Sequence, residues 1–297
     1  MCDSRKKKQR IAAEKLASFL SEKLNKDEGY PDIPTWGYAF SALFNQSVGG
    51  REIEQELALK FLSQQDKDNK EYSWEFVTFS SGILTKNKNC KVPDGFEIYH
   101  EKGTRMFNWF LLRCHNKLLF KRNCKLTLAK LKIALSFYQM EDGLILDEFK
   151  TRSLHYHAFC LFVLAHILRE NDIPWLKLAF QKGVKCAMNY ILKDGTALYI
   201  GRGQEQIFGY GALLYSLEFY NSNISQDECT KVEKVSNKVI SFQRSNGSFP
   251  LVLRTNAPEE EDVSFKINKP CGWHGYNTLY DYLPFLGYCL SEVSKLR

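Results

Sequence analysis

The chain has no CxxC pair, no zinc-finger spacing, no phosphate-cradling glycine loop and no dinucleotide fingerprint, and each absence removes a class of protein. Its nine cysteines form an odd set, and several, such as Cys160 and Cys289, stand inside apolar helical patterns. Reduced core thiols in a cytoplasmic protein account for them. No run is long and apolar enough to span a bilayer, and the basic opening MCDSRKKKQRIAAEKLASFL lacks the apolar core of a secretory leader. A cytoplasmic setting and no membrane partner are therefore expected. An RNP-type motif and a basic stripe interleaved with aromatics are missing as well, so no nucleic-acid partner is expected. Histidine is scarce, at six residues. Neither His155, His157 and Cys160 nor Cys271 with His274 has the spacing of a closed zinc site, so no metal or other cofactor is expected.

What the chain does have is apolar material and a period. Hydrophobic residues make up 44% and aromatics 14%, enough for a sizeable core with rings to spare for a flat ligand. The net charge of +7 includes the opening run Arg5 to Lys8 and Arg10, which reads as a solvated terminus. The mild basic remainder suits an anionic ligand. Asp142-Gly143, Asp194-Gly195 and Asn246-Gly247 recur every 52 residues, each after a segment with helical apolar spacing. A fixed period of this size marks stacked copies of one supersecondary unit. Asp-Gly and Asn-Gly supply the left-handed backbone of a tight turn. The unit is thus a helical hairpin.

Ten or eleven helices follow from the pattern, with almost no strand. LILDEF, ALYIGR and SFPLVLR read as short extended pieces inside loops, and 86–103 as irregular. The fold class is all-α, an α/α toroid of about five to six hairpins. A basic N-terminal helical segment over 1–30 is expected to pack on a toroid formed by 31–297. A ring is preferred to an open solenoid because the chemically rich residues gather at turn ends, where a ring brings them to one mouth.

Those residues fall into equivalent places. The helix start GTRMFNWFLLR carries Asn108 and Trp109. DGLILDEFKTRSLHYHAF carries Asp147, His155, Tyr156 and His157. DGTALYIGRGQEQIFGYG carries Arg202, Gln204, Glu205, Gln206 and Tyr210. The stretch before the last helix carries Trp273, His274, Tyr276, Asn277 and Asp281. Tyr and Trp offer an apolar platform with a polar tip, as a sugar ring needs. Arg, Asn and Gln supply planar donors for carboxylate and hydroxyl groups. His and Tyr are the proton movers. His155 and His157, two apart, cannot share one helix face, so one of them is open to a packing role. Arg202 between Gly201 and Gly203 has no packing reason for its charge.

In their order, FNWFLLR, DGLILDE with RSLHYHAF, DGTALYIGRGQEQIFGYGALLY and GWHGYNTLYDYLPF resemble the catalytic toroid of heparinase-II/III-like and alginate-lyase-like polysaccharide lyases, over roughly residues 104–290. The Asn-Asn-His signature of the alginate-lyase branch is absent, Asn108-Trp109 being its nearest counterpart, and the C-terminal β-sandwich that often completes such lyases is not expected here. The resemblance implies β-elimination on an anionic, uronic-acid-containing polysaccharide or oligosaccharide. Arg202, Asn108 and Gln206 would neutralise the uronate. His155 or His157 and Tyr210 would move the protons. Asp147, Gln204, Glu205, Trp273, His274, Tyr276 and Asn277 would contact sugar. A glycoside hydrolase on the same toroid, using Asp147, Glu205 and Asp281, is the alternative. A helical-repeat binding module without catalysis is the reading from another class, and a peptide cyclase with zinc at Cys271 and His274 is a further one.

Overall fold

The computed structural model describes residues 2–69, 72–86, 90–103, 105–220, 225–253 and 279–296. Eleven helices occupy them: α1 (Cys2–Lys23), α2 (Gly37–Val48), α3 (Glu52–Gln64), α4 (Trp74–Lys86), α5 (Phe107–Leu119), α6 (Cys124–Tyr138), α7 (Leu154–Glu170), α8 (Pro174–Asn189), α9 (Ile207–Tyr220), α10 (Gln226–Ser241) and α11 (Leu279–Val293). Local chemistry starts several of them. Pro174 opens α8, where a missing N–H costs nothing. Ser153 caps α7 by accepting the Tyr156 amide, and Ser225 with Glu228 forms a capping box on α10. Among the described residues the only strand-like pairings are isolated bridges such as Gln139 with Ile145 and Gln206 with Val252.

The packing closes. Helices α2, α4, α5, α7, α9 and α11 each lie against the next, and α11 lies back against α2. These six are the inner ring. Helix α3 backs α2, α6 backs α5, α8 backs α7 and α9, and α10 backs α9, forming an outer layer. Between α4 and α5 the irregular stretch 90–103 runs where the layer holds no helix. Helix α1 completes the layer by packing on α10, α11 and α2, so its residues are an integral wall of the toroid. The inner helices are apolar nearly all round: thirteen residues of α7 and every residue of α11 are buried. Aromatic rings fill the axis in tilted and edge-to-face pairs, with Phe208 4.3 Å from Phe285 and Phe162 5.0 Å from Phe285 between centroids, so the described helices enclose core.

The recurring turns are the joints between units. In each, the Asx side chain accepts the amide two residues on, at 2.9–3.0 Å, and the glycine has φ of 97°, 89° or 90°. Each glycine also lies flat against a carbonyl of the next outer helix: Gly143 on Lys182, Gly195 on Lys234 and Gly247 on Lys15. A Cβ at any of them would overlap that carbonyl. Gln139 and Gln243 repeat one clamp, donating to the turn glycine carbonyl and to Ala179 or Ala12. The last joint therefore seats on α1 as the others seat on their neighbours, and the ring shuts by the rule that built it.

One expectation is corrected here. Arg5 is not a solvated terminal charge: it is buried, and its guanidinium donates to both carboxylate oxygens of Glu218 on α9, at 2.6 and 2.9 Å. Gln9 joins the same carboxylate at 3.0 Å.

Candidate active site

All six inner helices begin at one end of the ring, and a cavity of about 300 Å³ opens there. Every inner helix or the residue just before it contributes wall: Trp36 and Thr35 from α2, Ser73 and Phe76 from α4, Met106, Asn108 and Trp109 from α5, His155, Tyr156 and Phe159 from α7, Phe208 from α9, Tyr282 from α11. Arg202 reaches in from the loop before α9. The floor is aromatic, with Trp36 stacked on Phe76 at 4.6 Å. The polar groups stand above it. Converging helix N-termini carry positive partial charge, and with Arg202 they bias the cavity toward anions.

Arg202 is held from two sides. Its guanidinium lies 4.8 Å from the Tyr156 ring centre and its Nη2 donates to Asp147 Oδ2 at 3.3 Å. Its own carbonyl accepts from Ser153 Oγ at 2.9 Å, which fixes the 201–203 loop to the cap of α7. Asp147 is buried, and among the described residues its Oδ1 finds no hydrogen-bond partner. Burial pushes its carboxyl up to about 6, against the opposing pull of Arg202 and the Asn108 backbone.

His155 forms part of the wall, its ring fitted between Gly203 and Gly209 at distances where any Cβ would collide. Burial and the Arg202 charge hold it neutral, with its pKa pulled down to about 3. Asn108 shares the same wall. The wall thus brings His155, Arg202 and Asn108 to one cavity.

Others are placed elsewhere. His157 points away from the cavity: its Nδ1 accepts the Ile145 amide at 2.9 Å and its Nε2 donates to the Gly183 carbonyl at 3.0 Å. With both nitrogens so engaged, it braces the Asp142 turn against α8. Tyr210 is fully buried, donates to Glu205 at 2.9 Å and accepts the Ala197 amide at 3.2 Å. Glu205, in a left-handed conformation at φ 58°, is taken up by Tyr210, the Leu198 amide and Lys238. Gln206 is buried and forms the backbone bridge to Val252. Gln204 lies in the same loop, outside the wall. Asp281 is a brace between α11 and the start of α2: it accepts the Thr35, Trp36 and Gly37 amides and the Thr35 hydroxyl. Trp273, His274, Tyr276 and Asn277 lie outside the described residues, as do Cys271 and the run Glu259 to Asp262. Among the described residues no three His, Cys, Asp or Glu side chains gather as a metal cluster.

The sequence reading missed Trp36, Phe76, Phe208 and Tyr282. Their signal was positional: each stands within the first few residues of an inner helix or just before it, in the register of Asn108 and His155.

At the far end of the ring a second cavity of about 350 Å³ lies among the C-termini of inner helices. Its charges satisfy each other, with Arg169 2.7 Å and Lys295 3.0 Å from Glu292, and Lys86 2.5 Å from Glu170. The N-terminal cavity is the better candidate.

This architecture is the α/α toroid, closed by six inner helices with its wall residues at their N-terminal ends. No family model and no curated protein matches the chain. Solved structures do. One is a glycosyl hydrolase family 88 protein from Bacteroides vulgatus, at 13% identity and TM-score 0.63, covering 95% of this chain and 99% of that one. Another is a polysaccharide lyase, at 13% identity and TM-score 0.63, covering 97% and 98%. A third is a type II terpene cyclase from Scytonema, at 10% identity and TM-score 0.58, covering 99% of each chain. The likeness shows the fold.

Proposed function

We propose that the N-terminal cavity binds an anionic carbohydrate and cleaves it beside a uronic acid by β-elimination. The observation that carries this reading is Arg202, set on the wall of a cavity that every inner-helix N-terminus faces. A uronate carboxylate placed there meets a guanidinium, the Asn108 amide and the positive helix ends. Neutralising that carboxylate acidifies the adjacent C–H, which is the difficult part of elimination. A base on the wall then takes the proton, the electron pair forms the carbon–carbon double bond, and the bond to the β-oxygen breaks. The leaving oxygen takes a proton from an acid. Tyr156, under the Arg202 guanidinium, and Tyr282 carry the phenols suited to these transfers. His155 shapes the wall and holds Tyr156 at 4.9 Å between ring centroids. Trp36 and Trp109 offer faces for neighbouring sugars. The polysaccharide lyase and the family 88 hydrolase on the same toroid support a carbohydrate substrate.

Hydrolysis is the second reading, and Asp147 favours it: a carboxyl raised to about 6 is suited to act as a general acid. Against it, no carboxylate is among the described wall residues: Asp147 is buried behind Arg202, and Asp281 and Glu205 are bound up as braces.

Incubation with a panel of uronate-bearing and neutral oligosaccharides tests both. Elimination yields new reducing ends together with a near-ultraviolet chromophore, and hydrolysis yields reducing ends alone. Neither product from any uronate-bearing substrate would sink the proposal.

A further inference from the structure

Outer helix α6 leaves an apolar ridge uncovered. Leu126, Ile133 and Phe137 are 55%, 61% and 68% exposed and share the face opposite the buried Thr127, Leu131 and Leu135. Helix α8 beside it adds Leu178, at 67%. Gln139 donating to the Ala179 carbonyl at 2.8 Å and Lys132 6.0 Å from the Trp175 ring centre hold the two helices as one flank. A monomer rarely leaves so much apolar surface together without a use for it.

The charge of that flank has one sign. From 120 to 140 the chain carries Lys121, Arg122, Lys125, Lys130 and Lys132 with no Asp or Glu, and α8 carries three lysines with none. Glu141, Asp142 and Asp172 stand only at the helix ends.

A partner for this face must take up aliphatic and aromatic side chains and also supply negative charge. A second copy of the chain would set lysines against lysines. An anionic polysaccharide would match the lysines but leave Leu126 and Ile133 against hydroxyls. The surface of an anionic bilayer meets both demands, with apolar side chains in the acyl boundary and cations among the headgroups. No described helix is long and apolar enough to cross a membrane, so the contact is a surface one.

We propose that the α6–α8 flank docks the protein on an anionic lipid surface through Leu126, Ile133, Phe137 and the surrounding lysines. The test is cosedimentation of the full chain with vesicles of phosphatidylcholine alone or mixed with phosphatidylglycerol, across a salt series. The expected result is binding to the mixed vesicles that weakens with salt and is far weaker on the neutral ones. Ile133→Glu with Phe137→Glu should reduce it by about tenfold or more, and Lys130→Gln by about fivefold. Far-ultraviolet circular dichroism and Tm check that the variants stay folded. The proposal is overturned by equal or absent binding to both vesicle types, or by a double variant that binds as tightly as the native chain. It also falls if light scattering shows a dimer that the double variant dissolves, or if an anionic polysaccharide binds this flank with no loss in that variant. No turnover is measured, so this result and that of the carbohydrate assay are independent.

Discussion

Arg202 Nη2 stands 3.3 Å from Asp147 Oδ2, so loops from two successive hairpins meet in one ion pair at the cavity rim. The pair is unequal: the guanidinium side chain is 39% exposed, the carboxylate 2%. Asp147 therefore sets how much of the Arg202 charge reaches a ligand.

Its titration has a definite sign. With the carboxyl raised to about 6, lowering the pH through that value neutralises Asp147 and frees Arg202 for an incoming anion. KM for an anionic substrate is expected to fall as pH drops through about 6. Asp147→Asn should give a low KM with that pH dependence removed. Arg202→Ala should raise KM and lower kcat, together costing about 1.5–3 kcal/mol of transition-state binding. Initial rates across pH on the three proteins measure all of this.

His157 separates a brace from a catalyst. His157→Ala leaves the Ile145 amide and the Gly183 carbonyl without their partner, at a cost of about 2–3 kcal/mol by denaturant unfolding. Its kcat at a temperature where the variant stays folded should match that of the native chain. A large kcat loss in the folded variant would return His157 to the reaction.

The joints make an unfolding prediction with an internal control. Gly247→Ala forces a left-handed alanine and drives its Cβ into the Lys15 carbonyl, so a loss of about 2 kcal/mol or more is expected. Gly95, in the Asp94-Gly95 turn, has φ 88° but faces open space, so Gly95→Ala should cost only about 1 kcal/mol. Equal losses would show that the contact with α1 adds nothing.

Acid should destabilise the fold. His115, His155 and His157 are held neutral by burial, their values drawn down from 6.5 to about 4, 3 and 4, and His166 is drawn well below it. The unfolded chain takes up protons first as pH falls below about 6.5, so this stability is present above that value and lost beneath it. Asp147 and Asp281, both raised to about 6, work the other way between about 4 and 6. Four groups against two leave a net loss, with each uncompensated proton worth about 1.4 kcal/mol per pH unit. Urea midpoints between pH 7 and pH 4.5 measure it.

The ring was legible because its joints are written in residue type: only Gly tolerates the turn and its contact, and Asp or Asn closes it. The inner helices were legible too, since HAFCLFVLAHIL and GALLYSLEFY have no polar face to give to solvent. The site was half legible. Arg202, His155 and Asn108 stood out as polar residues at apolar helix starts. Trp36, Phe76 and Phe208 did not, because a ring in a cavity wall and a ring in a core look alike in sequence. His155 and His157 could not be ranked, since which of two neighbours faces the axis depends on helix rotation. Arg5 was hidden for another reason: its partner Glu218 lies on α9, far along the chain.

That distance has a consequence for how the molecule is made. Helix α1 is a wall piece whose neighbours α10 and α11 come much later in the chain, and Arg5 waits 213 residues for Glu218. Until then α1 has only α2 to pack on, and the open edge of the growing arc is uncovered. The ring therefore cannot close until α11 has been made, and the open arc before that point is the stage at which this fold most needs a chaperone.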